Sequence, residues 1–239
     1  MIRLPVSPER IAGRVELSRA ERHYLKDVLR LSPGSVLEVF DGKGNRYPAR
    51  LADGGSLELG PCQPDGPALR TLVLAQALAK GEKMDLVVQK ATELGASAIA
   101  PFAAARSVVR LDERRARERV ERWRRIAREA ARQCGRADAP AVRAVASLEG
   151  VLEQARAEGA AALVLHEGER KRRLSEALAE GAGPVVIVVG PEGGFATEEL
   201  DAAWKLGASP VTLGRRVLRT ETAGLAALAV ARFLEGDLG

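Results

Sequence analysis

The sequence predicts a small β-barrel followed by a larger α/β domain with a parallel sheet. Before residue 60, short alternating strands are separated by turns at the spacing typical of small barrels. Residues 60–67, GPCQPDGP, then hold three prolines and two glycines, which cannot continue a helix or a central strand. Beyond this linker, apolar strands alternate with helices, the pattern of a parallel sheet covered on both faces. We therefore assign residues 1–67 to the barrel and residues 68–239 to the α/β domain.

The first domain is predicted to contain one helix and four strands. Residues 18–30 form the helix, because Ser18 is a favoured N-cap and Leu25, Val28 and Leu29 share one face. The turn sequences DGKGN and DGG separate the strands that follow. The strands are predicted at residues 14–17, 35–40, 46–51 and 56–59.

The second domain is predicted to alternate strands and helices. A glycine ends four of the helices, as is common at a helix C-terminus: Gly95, Gly135, Gly159 and Gly207. The strands are predicted at residues 71–76, 98–102, 161–166, 184–189 and 210–213. The helices are predicted at residues 83–94, 112–133, 148–157, 173–180, 197–206 (capped by Thr197) and 220–234. Ligands of such sheets bind beyond the carboxyl ends of the strands, which directs attention to the loops at 166–168, 190–195 and 214–219.

The composition indicates a soluble, cytoplasmic protein that needs no metal. No apolar run reaches the length of about 18 residues that a membrane span requires. The first residues, MIRLP, lack the apolar core of a signal peptide. The two cysteines, Cys62 and Cys134, are far apart and have neither a disulfide pattern nor metal-ligand spacing.

The excess positive charge is concentrated in one segment. The whole chain has a net charge of +5, whereas residues 103–143 alone contain thirteen arginines and six acidic residues, a net charge of +7. Pairs such as Glu118–Arg122 and Glu121–Arg125 are typical of a solvated helix face, but the excess favours a surface that faces a polyanion. Because aromatic residues make up 3% of the chain, nucleic acid would be held through its phosphates rather than by stacking.

Two glycine-centred turns are the candidate working site. GPEGGF at residues 190–195 follows an apolar strand and precedes a helix, so its backbone N–H groups and the helix dipole can approach a ligand. It is neither a Walker loop nor a GxGxxG dinucleotide motif. An ordinary strand-to-helix turn remains the alternative interpretation.

The second turn, LGRRVLRTETA at residues 213–223, places Arg215, Arg216 and Arg219 beside Glu221. The apolar pair Val217 and Leu218 between arginines indicates a wall for a flat ligand such as adenine. The alternative is a solvated basic turn before a helix capped by Thr220. His166 ends a neighbouring strand, where it can titrate or serve a structural role, and a structural role is expected for His23.

The two turns together resemble the cofactor signature of the SPOUT methyltransferases. More narrowly, the chain resembles the RsmE family, which methylates uridine N3 in small-subunit ribosomal RNA. RHYLKDVLRLSPGSVLEVFDGKG (22–44) resembles the opening of the family's PUA-like barrel, and KGEKMDLVVQKATELGASAIAPF (80–102) resembles the first stretch of its catalytic domain. RQCGRADAP (132–140) resembles a third signature, from whose Glu-Gln-Ser-Gly-Arg it departs at Arg132 and Cys134.

The resemblance implies a SPOUT-type parallel sheet with a C-terminal trefoil knot, and an active site formed at a homodimer interface. It implies S-adenosylmethionine as the cofactor. The implied cofactor-binding residues are Leu165, His166, Val189, Gly190, Pro191, Gly193, Gly194, Leu213, Gly214, Arg216, Val217, Leu218 and Arg219.

The implied reaction is methyl transfer to uridine N3, whose imide proton must be lost. Arg219 would stabilise the resulting anion and Glu221 would accept the proton. The implied substrate is small-subunit ribosomal RNA or the assembled 30S subunit, bound by Arg3, Arg10, Arg22, Lys80, Lys83 and Arg106. The alternatives are another SPOUT enzyme acting on tRNA or on a ribose 2′-hydroxyl, and a non-catalytic RNA-binding protein.

Overall fold

The computed structural model describes residues 2–42, 44–64 and 69–238. Residues 65–67 of the predicted linker lie outside the described residues. The chain divides into two compact units. Unit 1 comprises Met1–Ala68 together with Ala131–Ala139, and unit 2 comprises Leu69–Ala130 together with Pro140–Gly239.

Unit 1 contains a small, mainly antiparallel sheet. Its elements are β1 (Arg3–Pro5), β2 (Arg14–Glu16), α1 (Arg19–His23), β3 (Val36–Phe40), β4 (Asn45–Leu51), β5 (Ser56–Leu59) and β6 (Gln63–Pro64). The strand order is β1-β3-β4-β5-β2, with β6 paired to β4 and only β1 running parallel to its neighbour. Leu25, Leu37, Val39, Leu51 and Leu57 form the centre of its core. All four predicted strands are present, and β1 and β6 are additional.

The predicted helix of unit 1 is interrupted. Ser18 caps α1 as predicted, because its hydroxyl accepts the Glu21 N–H and the Glu21 carboxylate accepts the Ser18 N–H at 2.6 Å. From Tyr24 to Val28 the helix widens into a π-helical turn. The extra residue in this turn buries Leu25 completely but rotates Val28 outward, so that Val28 is 57% exposed. The prediction that Val28 shares the buried face is therefore wrong.

Unit 2 contains a parallel sheet, as predicted. Its strands are β7 (Leu72–Ala77), β8 (Ala98–Ala103), β9 (Ala141–Val142), β10 (Ala146–Ser147), β11 (Ala161–Leu165), β12 (Val185–Val189) and β13 (Ser209–Val211). Its helices are α2 (Lys83–Glu93), α3 (Glu113–Cys134, of which residues 131–134 belong to unit 1), α4 (Leu148–Ala157), α5 (Leu174–Ala179), α6 (Thr197–Lys205) and α7 (Thr220–Leu234). The strand order is β10-β8-β7-β12-β11-β13, with β9 paired to β8, and every pair is parallel.

Both faces of this sheet are buried. Alternate residues of β7 face opposite sides, so that Leu72 and Leu74 belong to one hydrophobic cluster and Val73 and Ala75 to another. The first cluster includes residues of α2, α3, α5 and α7, and the second includes residues of α4 and α6. Two layers of helices therefore cover the sheet, which explains the continuous apolar run of its central strand β12.

Two local predictions in unit 2 need correction. Thr197 does not cap α6 but is its first residue. Ala196 takes the cap position, where its N–H donates to the Glu199 carboxylate at 2.9 Å. β11 and β13 end at Leu165 and Val211, which leaves the residues that follow them free to form loops.

The arginine-rich helix α3 uses many of its charges internally. Glu118 pairs with Arg114 and Glu121 with Arg124, rather than with the predicted Arg122 and Arg125. Arg122 instead reaches Asp85 on α2 at 2.7 Å, and this ion pair raises its pKa. Asp85 also accepts a hydrogen bond from the Trp123 indole, so its carboxylate anchors the two helices to each other.

Candidate active site

A cavity of about 480 Å³ opens at the carboxyl ends of β11, β12 and β13. Its walls are the loops that follow these three strands, together with Lys83 and Arg106. The volume lies in the range typical of small-molecule sites. All of the predicted cofactor-binding residues except Gly193 line this cavity. Gly193 lies in the same turn as Gly194 but is not part of the wall.

The turn after β12 requires its glycines for different reasons. A Cβ on Gly190 would lie 2.8 Å from the ring of Phe195, which stacks on Phe102 in the core. Gly194 has a φ of +69°, which side chains with a Cβ rarely adopt. The closed turn, with the Gly194 N–H donating to the Pro191 carbonyl at 2.9 Å, leads directly into α6. Its backbone therefore faces the cavity at close range, as a ligand-binding turn requires.

The arginine loop after β13 lines the same cavity. Gly214 has a φ of +128°, and its N–H donates to the Thr212 hydroxyl at 3.1 Å. Val217 and Leu218 both line the cavity although Val217 is 71% exposed. Arg216 lines the cavity as well, so this loop presents an apolar surface beside cationic side chains.

A buried hydrogen-bond chain ties the two loops to the sheet. The Gln76 amide of β7, which is fully buried, donates to the Thr220 hydroxyl at 2.8 Å. The Thr220 hydroxyl donates in turn to the Gly190 carbonyl at 2.6 Å. Because that carbonyl can only accept, the direction of the whole chain is fixed. The first residue of α7 therefore fixes the start of the glycine turn.

Lys83 connects two carboxylates beside the cavity. Its ammonium lies 3.0 Å from Glu192 of the glycine turn and 3.2 Å from Glu221 of α7, and both raise the pKa of Lys83, Glu192 more strongly. Burial alone would raise the pKa of Glu221. Its own backbone N–H, Lys83 and Arg219 outweigh burial, so the net effect lowers that pKa. Glu221 is therefore an ionised and weakly basic carboxylate.

The predicted RNA-binding residues do not form one group. In unit 1, Arg3 pairs with Glu38 at 2.9 Å and Arg10 pairs with Glu21 at 2.8 Å, whereas Arg22 is exposed. The hydrogen bond from Arg10 lowers the pKa of Glu21 to about 2. In unit 2, Lys83 and Arg106 line the cavity and Lys80 is exposed. The structure thus brings together only Lys83 and Arg106 at the cavity.

Two further features are absent from the described part of the chain. There, no three side chains of His, Cys, Asp or Glu come together as a metal site. Across the same residues, no helix has the length and apolar character needed to cross a membrane.

Comparison with known proteins identifies the family. A model of the RNA methyltransferase domain matches residues 67–232, and a model of the RNA methyltransferase PUA domain matches residues 17–62. The chain is 40% identical over 215 residues to ribosomal RNA small subunit methyltransferase E of Mycobacterium bovis, which covers 87% of this chain and 82% of that protein. The chain belongs to the ribosomal RNA small subunit methyltransferase E family.

Two solved structures are similar to nearly the whole chain. The family member from Neisseria gonorrhoeae, bound to S-adenosyl methionine, has a TM-score of 0.80 and 33% identity and covers 98% of each chain. A methyltransferase from Legionella pneumophila, in complex with its cofactor SAM, has a TM-score of 0.81 and 31% identity, with 98% of this chain and 97% of that chain covered. The methyltransferase E fold therefore extends over both units.

Sequence reasoning missed several residues of this methyltransferase site. Gln76 looked like one more residue of an apolar strand, and nothing in the sequence linked it to Thr220. The sequence predicts Glu192 only as part of the glycine turn and does not predict Arg170 as a site residue, although it lines the cavity. The run RKRR at residues 170–173, close to His166 in sequence, was the available signal for Arg170.

Proposed function

We propose that this protein methylates small-subunit ribosomal RNA at N3 of a uridine, with S-adenosylmethionine as the methyl donor. The observation that carries the proposal is the cavity at the carboxyl ends of β11, β12 and β13, which residues of both signature turns line. Membership of the family and the cofactor-bound relatives support both the reaction and the donor. A ribose or tRNA methyltransferase, or a non-catalytic binder, lacks comparable support.

The cavity has the features that S-adenosylmethionine needs. Val217 and Leu218 offer an apolar surface for its adenine, and the half-buried backbone at Gly190 and Gly194 lines the same cavity, where it can approach the polar parts of the cofactor. Leu165 and His166 close a third side. When bound, the cofactor supplies a methyl group that its sulfonium already activates, so the protein has mainly to position the reactants.

We propose that Arg219 is the main catalytic residue. It lines the cavity at the start of α7, where its guanidinium can stabilise the negative charge that uracil gains as the N3 proton leaves. Glu221 is the proposed proton acceptor. Its lowered pKa keeps Glu221 ionised but makes it a weak base. Loss of the N3 proton therefore depends mainly on Arg219, which makes the imide more acidic.

We propose that residues 1–67 form a PUA-like β-barrel that binds RNA and residues 68–239 the SPOUT catalytic domain. We further propose a trefoil knot in the cytoplasmic, homodimeric enzyme. Support for the knot comes from α7, which returns from the edge strand β13 to pack on the central strands β7 and β12. That return path lies beside the loops after β11 and β12, through which a knotted chain would pass.

The test is to incubate the protein with labelled S-adenosylmethionine and small ribosomal subunits that lack the modification. We expect the label on N3 of a single uridine, identified by nuclease digestion and mass spectrometry. Label on a ribose 2′-hydroxyl or on tRNA would replace the proposal with another methyltransferase activity. No transfer, together with no cofactor binding in calorimetry, would support a non-catalytic binder.

A further inference from the structure

Two loops at the mouth of the cavity carry a group of exposed cations. Arg170, Lys171 and Arg173 lie in the loop after β11, and Arg215 and Arg216 lie in the loop after β13. We call these five residues the basic rim. No acidic side chain of the described residues forms an ion pair with any of them, whereas their neighbour Arg172 is paired with Glu180. Within the described residues the five rim cations thus have no ion-pair partner, and the acidic residues of the same loop are Glu167 and Glu169.

Backbone hydrogen bonds hold the two loops side by side. The Thr212 N–H donates to the Arg172 carbonyl at 2.9 Å, and the Leu174 N–H donates to the Thr212 carbonyl at 3.0 Å. At the ends of the two strands, the His166 N–H donates to the Val211 carbonyl at 3.1 Å. The five cations thus belong to one surface of unit 2, beside the cavity that Arg170 and Arg216 help to line.

Glu169 folds the loop that carries three of these cations. One oxygen of its carboxylate accepts the backbone N–H groups of residues 170, 171 and 172, at 2.8, 2.6 and 3.1 Å. These bonds, led by those from residues 171 and 172, lower the pKa of Glu169. The carboxylate is therefore engaged by the loop's own backbone, which folds the loop and leaves its cationic side chains directed to solvent.

The first turns of the arginine-rich helix α3, which the sequence favoured as the surface for a polyanion, differ in this respect. Arg114 pairs with Glu118 and Arg117 with Glu113, each four positions away on α3. Arg115 pairs with Asp112, which directly precedes the helix. Such exposed pairs add little stability, but they offset the local positive field. The rim therefore carries more unpaired cations than the first turns of α3, which favours the rim as the surface for a polyanion.

We propose that the basic rim binds the phosphodiester backbone of the RNA segment whose base enters the cavity. The inference rests on the proposed function and locates its substrate contact in the catalytic domain. Arginine matches phosphate geometry with two parallel hydrogen bonds, and each contact releases counterions from the RNA. The rim positions the strand, while the cavity recognises the base.

The test compares two triple variants with the same change in charge. The first is Lys171→Gln, Arg173→Gln and Arg215→Gln, rim residues that do not line the cavity. The control is Arg114→Gln, Arg115→Gln and Arg117→Gln on α3. The probes are unmodified small subunits for RNA binding, measured from 50 to 300 mM salt, and S-adenosylmethionine alone, measured by calorimetry.

We expect the rim variant to bind subunits at least about tenfold more weakly. The slope of its log affinity against log salt concentration should be less negative by roughly 2, because fewer phosphate contacts are made. The α3 variant should change affinity less than about threefold, and both should bind the cofactor like the wild type. Equal affinity of the rim variant and the wild type would overturn the proposal, as would an equal loss in the α3 variant. Failure of the proposed function would appear separately, as absence of methyl transfer by the wild type.

Discussion

Lys83 shows what the sequence can and cannot reveal about single residues. The family resemblance implies a role in RNA binding, yet Lys83 connects Glu192 and Glu221 beside the cavity. Glu192 lies 109 residues further along the chain. No local pattern encodes a contact over that separation. The glycines and arginines of the two turns were predictable, because turn geometry and charge are properties of short segments.

Arg219→Ala should reduce turnover much more than RNA affinity. Removing a cation that acts only on the developing negative charge is expected to lower kcat by about 10² to 10³. The affinity for unmodified small subunits should fall less than about threefold. Single-turnover methyl transfer and equilibrium binding measure the two effects. Arg215→Ala, on the neighbouring rim, is the matched control and should weaken subunit binding more than it slows methyl transfer. Similar losses of rate and affinity for Arg219→Ala would contradict its catalytic role.

At the scale of elements, long periodic segments were predicted well and short ones were not. The limits of α4 and α7 match the predicted ones, because each has a clear apolar face. β9 and β10 have two residues each, too few for any alternation to be recognised. The π-helical turn after α1 has no sequence signal either, since its cause is the burial of Leu25 in the core of unit 1.

Thr220→Val should loosen the junction between β7, the glycine turn and α7. Valine has nearly the same shape but leaves the Gln76 amide and the Gly190 carbonyl without their shared partner. We expect a loss of about 1–3 kcal/mol in the free energy of unfolding and weaker cofactor binding. Urea unfolding and calorimetry measure these effects. Thr220→Ser, which keeps the hydroxyl, should recover cofactor affinity; a valine variant that binds the cofactor like the wild type would exclude a positioning role for this chain of bonds.

At the scale of the molecule, the two units carry different optical probes. Both tyrosines, Tyr24 and Tyr47, lie in unit 1, and both tryptophans, Trp123 and Trp204, lie in unit 2. Tryptophan fluorescence therefore follows the unfolding of the catalytic part, and tyrosine absorbance follows that of the PUA part. This separation allows the stability of each unit to be measured in the full chain.

Glu21→Gln should destabilise unit 1 at neutral pH but not at low pH. The pKa of Glu21 is lowered to about 2, first by its hydrogen bond from Arg10. A lowered pKa contributes stability that is complete above the unfolded value of about 4.5 and is lost as the pH falls towards 2. We expect a loss of about 1–2 kcal/mol at pH 7, shrinking below pH 4.5 in urea unfolding followed by tyrosine absorbance. Glu58→Gln, an exposed carboxylate of β5, is the control; a loss independent of pH would refute the ion-pair explanation.

The bond between Gln76 and Thr220 also has a consequence for biosynthesis. The two residues are 144 positions apart. At typical rates of translation, a nascent chain spends roughly 7–30 s with Gln76 already made and its partner still missing. During that interval the amide must stay hydrated, so β7 cannot settle into its final buried environment. The methyltransferase therefore acquires its cavity late, only after the ribosome has released α7.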